Sequence, residues 1–175
     1  MTRRRWVVFG VVDLLVIAAV LAVVLVSSGG DSDSNEPEVV TVAQLSDFAS
    51  ESGHPVYWLG ERPGARYELT DAADGRVYVR YLSGDAEAGD ESSRFPTVAT
   101  YPAVDGVAAL KRAAAKRKGA QLVPGSDGAM VLVDPSAPDN AHLAFPGSGS
   151  QVEVYSPVPG QALRLASRGA VVPVP

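Results

Sequence analysis

Residues 66–82 read RYELTDAADGRVYVRYL, and this stretch decides the fold class. Asp74-Gly75 sits between two runs rich in aromatic and β-branched side chains, a strong short-range signal for a β-hairpin. Residues 76–82 alternate strictly. Tyr78, Arg80 and Leu82 share one face, and Val77, Val79 and Tyr81 share the other, because successive side chains of a strand point to opposite sides. An antiparallel sheet is the expected scaffold.

Working outward, residues 55–59 (PVYWL), 97–101 (TVATY), 129–133 (AMVLV), 142–145 (HLAF) and 151–155 (QVEVY) read as further strands. Residues 41–51 (TVAQLSDFASE) carry Val42, Leu45 and Phe48 at helical spacing, with Thr41 placed as an N-cap and Gly53 as a stop. Residues 104–118 predict an Ala-rich helix. Asp105 lies near its start, and Lys111, Arg112, Lys116, Arg117 and Lys118 crowd its end, a polarity that suits the helix dipole. Residues 160–168 predict a last short helix, and the tail at 171–175 at most an edge strand, since Pro173 lacks a donor. The expected domain is α+β, an antiparallel sheet with helices on one face. An offset of about 75 residues aligns 56–59 with 130–133, 65–69 with 141–145 and 77–81 with 152–155, which suggests two α-β-β-β halves.

The N-terminus has a different character. Residues 6–26 form an apolar run interrupted only by Gly10 and Asp13, and 15 of the 21 residues are Leu, Ile, Val or Phe. At 1.5 Å per residue the run reaches about 31 Å, the thickness of a bilayer core. Insertion gains about 4 to 9 kcal/mol from the apolar side chains, against about 2.5 to 3.5 for Asp13. The run is therefore expected to be a transmembrane helix whose partner is the lipid bilayer. Arg3, Arg4 and Arg5 precede it and acidic residues follow, so the positive-inside rule puts residues 1–5 in the cytoplasm and the rest outside. The competing reading, a cleaved signal peptide, fits less well because the run exceeds a 7–15-residue h-region. Asp13 is a candidate intramembrane contact with a partner helix. Residues 27–38 (SSGGDSDSNEPE) hold no apolar residue and read as an acidic spacer, leaving 39–175 as the extracytoplasmic domain.

Composition narrows the function classes. The chain has no cysteine, which excludes disulfides, thiolate metal sites and a cysteine nucleophile. Beyond residue 26 there are 12 basic and 19 acidic residues, a net −7 that argues against nucleic-acid binding. His54 precedes a proline in a turn and His142 opens a strand. Neither has a second histidine at metal-ligand spacing, so both read as turn or surface residues. The serines at 148 and 150 lack the spacing of a nucleophile elbow. Asp85, Glu87, Asp90 and Glu91 do not match a calcium loop, and residues 83–94 read as a solvated acidic loop. No cofactor is implied.

The most distinctive stretch is 53–60 (GHPVYWLG). Adjacent strand residues point opposite ways, so either one ring of Tyr57 and Trp58 is exposed as an aromatic interaction surface, or Trp58 anchors the core while Tyr57 packs under a loop. This stretch, together with 66–70, 76–82, 144–147 (AFPG) and 151–155, resembles uncharacterised actinobacterial single-pass membrane-anchored proteins. The resemblance implies the topology and carries no activity. The expected role is a non-enzymatic, membrane-tethered interaction or sensory domain with a membrane or cell-envelope protein partner. The alternative is a cell-envelope hydrolase whose site is assembled from dispersed residues.

Overall fold

The computed structural model describes residues 36–175. The run 6–26 and Asp13 lie outside them. Among the described residues, no helix is long and apolar enough to cross a membrane.

The chain order is β1 (Glu38–Val40), α1 (Val42–Glu51), β2 (Tyr57–Trp58), β3 (Arg66–Asp71), β4 (Val77–Leu82), β5 (Thr97–Pro102), α2 (Gly106–Lys116), β6 (Gln121–Pro124), a 3₁₀ turn, β7 (Met130–Val133), β8 (Asn140–Ala144), β9 (Ser150–Tyr155), α3 (Gln161–Ser167) and β10 (Val172–Pro173). Eight strands form one antiparallel sheet in the order β1-β3-β4-β5-β9-β8-β7-β6. The class is therefore α+β, as the hairpin predicts. That hairpin pairs Arg66 with Leu82 through Asp71 with Val77. Its turn bonds the Gly75 N–H to the Ala72 carbonyl and leaves Gly75 at φ +79°, a conformation that glycine adopts without strain.

The first face of the sheet carries Val77, Val79 and Tyr81, joined by Leu69, Val98, Val131, Leu143, Val152 and Val154 in the main core. α1 adds Leu45 to this core, and α3 adds Ala162 and Ala166. The N-terminus of α1 is closed by a reciprocal cap. Thr41 Oγ1 accepts from the Gln44 N–H, and Gln44 Oε1 accepts from the Thr41 N–H at 2.9 Å. The second face carries Tyr78, Arg80 and Leu82. α2 covers one half of it, packing Leu110 on Leu132 and Ala144, and the 83–95 segment covers the other half, packing Ala86 and Phe95 on Leu82.

Several expectations are corrected. The helices lie on both faces of the sheet, because the second-face side chains are themselves apolar enough to need cover. β2 does not enter the main sheet. It pairs with β10 as a two-stranded ribbon on the first face, held by the Tyr57 N–H on Thr100 Oγ1 at 3.0 Å and the Leu59 N–H on the Tyr81 hydroxyl at 2.6 Å. β6 and β1 are additional edge strands, and Glu38, read as spacer, already pairs with Leu69. The helix expected over 104–118 is shorter, since Asp105 caps it through the Ala108 N–H and Arg117 is already extended.

The pairing of halves also shifts. Around the central β5–β9 pair, β3, β4 and β5 correspond in position to β7, β8 and β9, one strand away from the alignment that matched 56–59 with 130–133. A two-fold axis relating antiparallel neighbours stands perpendicular to the sheet and preserves its faces. α1 on the first face and α2 on the second cannot be its mates.

Candidate functional site

The second face holds most of the buried polar chemistry, in two groups. The first lies between β3, β4 and the 83–95 segment. Glu68 is 1% exposed and accepts from Arg80 Nη1 at 2.7 Å and from the Gly89 N–H at 2.7 Å. The other terminal nitrogen of Arg80 donates to the carbonyls of Asp90 and Ser92 at 2.6 and 3.2 Å, and its guanidinium carbon lies 5.5 Å from the centre of the Phe95 ring. Arg66 Nη2 donates to the carbonyls of Gly84 and Ala86. Within the segment, contacts from Ser92 first and Arg94 second hold the Asp90 carboxyl down to about 2. The acidic loop is thus a clasp pinned to the sheet by two arginines, not a freely solvated stretch.

The second group crosses the middle of the sheet. The register places Tyr78 beside Ala99, Ala99 beside Glu153, and Glu153 beside His142 on consecutive strands. Tyr101, two residues along β5, donates its hydroxyl to Glu153 Oε2 at 2.6 Å. His142 Nδ1 lies 4.0 Å from the same oxygen. His142 is 2% exposed and Glu153 4%. Among the described residues, neither ring nitrogen of His142 nor the Tyr78 hydroxyl has a hydrogen-bond partner. Burial lowers the pKa of His142, and the Glu153 charge opposes that shift. Burial, reinforced by Glu153, pushes the Tyr101 hydroxyl far above its ordinary value, and burial raises Tyr78 as well. Tyr101 therefore serves as a donor, and His142 is held neutral near pH 7.

The sequence reading of His142 as a surface residue is corrected: a strand residue beside a loop is exposed only if nothing covers its face, and α2 covers this one. A glutamate between Val152 and Val154 reads as solvent-facing for the same reason. The Tyr101–Glu153 bond joins residues 52 apart in sequence, and no local pattern announces it. Glu68 and Glu153 are not a catalytic pair. Three strand spacings separate them, about 14 Å, and each carboxylate has its own partner.

Tyr57 and Trp58 are both buried, at 5% and 4% exposure, so of the two readings the packed one fits and neither ring lies open as an interaction surface. Tyr57 stacks on Phe145 with ring centres 5.2 Å apart, and Trp58 meets the edge of Tyr67 at 5.6 Å. Within the ribbon only β2 is buried against the first face, and its partner β10 is exposed.

The described surface includes open concavities. One, of about 690 Å³, is lined by residues 83–90 and Arg94. Another, of about 410 Å³, is lined by Phe48, Glu51, Ser52, His54, residues 71–73 and Gly75. Neither includes Tyr101, His142 or Glu153. Among the described residues no three His, Asp or Glu side chains converge as a metal site. Comparison with known proteins found no matching family, no matching characterised protein and no matching solved structure.

Proposed function

We propose that this chain is a single-pass membrane protein of actinobacterial type whose outer domain acts by interaction or sensing, not by catalysis. The observation that carries the reading is the 21-residue apolar run at 6–26 flanked by Arg3, Arg4 and Arg5. The spacer that follows it and the resemblance over most of the outer domain support the same topology. The His142–Glu153–Tyr101 group is buried and lines neither concavity, which favours a role without turnover. Asp13 is the intramembrane residue best suited to meet a partner helix. We infer the repeated unit to be β3-β4-β5 and β7-β8-β9, a revised form of the two-halves reading.

The test is photo-crosslinking of the full chain in its native membrane, with the reactive group at position 13 and on the outer domain. A specific adduct, a partner or a second copy, is the expected result. Recovery of the uncrosslinked chain alone from every position contradicts the interaction reading.

The cell-envelope hydrolase has one observation in its favour, a histidine beside a carboxylate that accepts from a hydroxyl. In that case substrate turnover would be abolished by Glu153→Gln in a protein that still folds.

A further inference from the structure

The charges of the outer domain are sorted by place. Arg76, Arg80, Arg94 and Arg117 are in ion pairs with Asp74, Glu68, Asp90 and Asp134. Arg66 is spent on carbonyls, and Arg62 lies over the Tyr81 ring. Six other cations are exposed and join no ion pair among the described residues: Arg164 and Arg168 in and just after α3, and Lys111, Arg112, Lys116 and Lys118, which lie together on and just after α2.

Their placement follows from helix geometry. At 100° per residue, Lys111, Arg112, Ala115 and Lys116 fall within one arc of about 140°. Gly106, Leu110, Ala113, Ala114 and Arg117 fall opposite, and Gly106 and Leu110 are buried against the sheet. Lys118 follows the helix end, which the Arg117–Asp134 pair at 2.8 Å ties to β7. No acidic residue lies between Gly106 and Gly125. The chain's three lysines are all here, although arginines outnumber lysines twelve to three.

We propose that this face of α2 docks on an anionic bilayer surface, that of the membrane carrying the anchor; the proposal rests on the membrane-anchor reading. Charge complementarity is the argument. A cluster of four exposed cations without internal counter-charges fits a surface of lipid phosphates, where each cation strengthens association about fivefold. The domain's net negative charge does not cancel this locally. The acidic 83–95 segment lies over β3 and β4 and α2 over β6 to β9. From β4 to β9, the nearest strands beneath the two, is two strand spacings, about 10 Å, and the rest of α2 lies farther, beyond the screening length of about 8 Å in physiological salt. The tether also reaches. Residues 27–37, fully extended, span up to about 40 Å, and the seven spacings from β1 to β6 cover about 34 Å.

The lysines make the test direct. The full chain is reconstituted in vesicles of phosphatidylcholine, alone or with one-third phosphatidylglycerol, and amine acetylation is followed by mass spectrometry at Lys111, Lys116 and Lys118. Docking predicts several-fold slower acetylation of all three in the anionic vesicles at low salt, and loss of that difference in 1 M salt. Arg112→Gln, a surface change, should weaken the docking equilibrium about fivefold and raise the acetylation rates. Equal rates in the two vesicle types overturn the proposal. So does protection by soluble polyphosphate on neutral vesicles without protection by phosphatidylglycerol. The anchor is read separately: a chain that fails to float with neutral vesicles overturns the anchor, whereas one that floats but labels equally overturns only the docking.

Discussion

Arg80 does on β4 what its sequence neighbours give no hint of. The strand pattern places it on the face with Tyr78 and Leu82, which reads as a polar residue on a wet face. In the folded chain its guanidinium bridges Glu68 and two loop carbonyls, turning a run of acidic residues into a cover for Leu82. Arg80→Ala would leave a carboxylate that is 1% exposed without its cation. Breaking a buried pair from one side costs about 3 to 5 kcal/mol. A loss of that size in urea-unfolding free energy is expected, and a loss below about 1 kcal/mol would show that Glu68 is sustained by the Gly89 N–H alone. His142 gives a pH prediction at the same scale. Its pKa is lowered in the fold, so the unfolded chain binds the extra proton first as pH falls below about 6.5. Stability from this residue is full above that value and is lost progressively below it. The low-pKa carboxyls Asp90 and Asp134 act lower, below the ordinary carboxylate range of about 4. Melting curves from pH 7.5 to 5.5 should therefore fall in the native protein and flatten in His142→Leu. A slope unchanged by that substitution would assign the effect elsewhere.

At the scale of elements, α2 depends on a glycine. A β-carbon at Gly106 would lie 2.2 Å from the Ser150 carbonyl oxygen and 2.9 Å from Ala144 Cβ. The obstacle is backbone, so the helix start itself must move. Gly106→Ala is expected to cost about 1 to 3 kcal/mol despite alanine's better helix propensity, with faster hydrogen exchange across α2. A neutral or stabilising result would mean that the helix sits farther from β9. Legibility also divides by element. β4, β5 and β9 were readable because strict alternation and β-branched residues survive in any context. β6 was not, because Gln121 to Pro124 is an edge with few apolar positions, and β1 was hidden among acidic spacer residues. β2 had the composition of a strand, but its two paired residues meet β10 at the far end of the chain, a pairing that no local pattern specifies. Among site residues, Glu153 and Tyr101 each showed as strand residues, while their bond waited on the long-range β5–β9 register.

At the scale of the molecule, the eight strands form one continuous ladder with β5 and β9 at its centre, covered on both faces. Native-state hydrogen exchange should be slowest in these two strands and fastest in β1 and β6, since edge strands open without breaking the rest. In the sequence an acidic spacer joins the domain to the apolar run, and the proposed role as an outward-facing tethered module turns on that arrangement. The chain has no cysteine, so single substitutions report topology cleanly. Thr2→Cys and the exposed Ser83→Cys should be treated in intact cells with a membrane-impermeant maleimide, followed by carbonate extraction of the membranes. The proposed topology predicts that Ser83→Cys labels from outside, that Thr2→Cys labels only after permeabilisation, and that both proteins stay with the washed membrane. Release of the Ser83→Cys protein into the medium, or labelling of Thr2→Cys in intact cells, would contradict it.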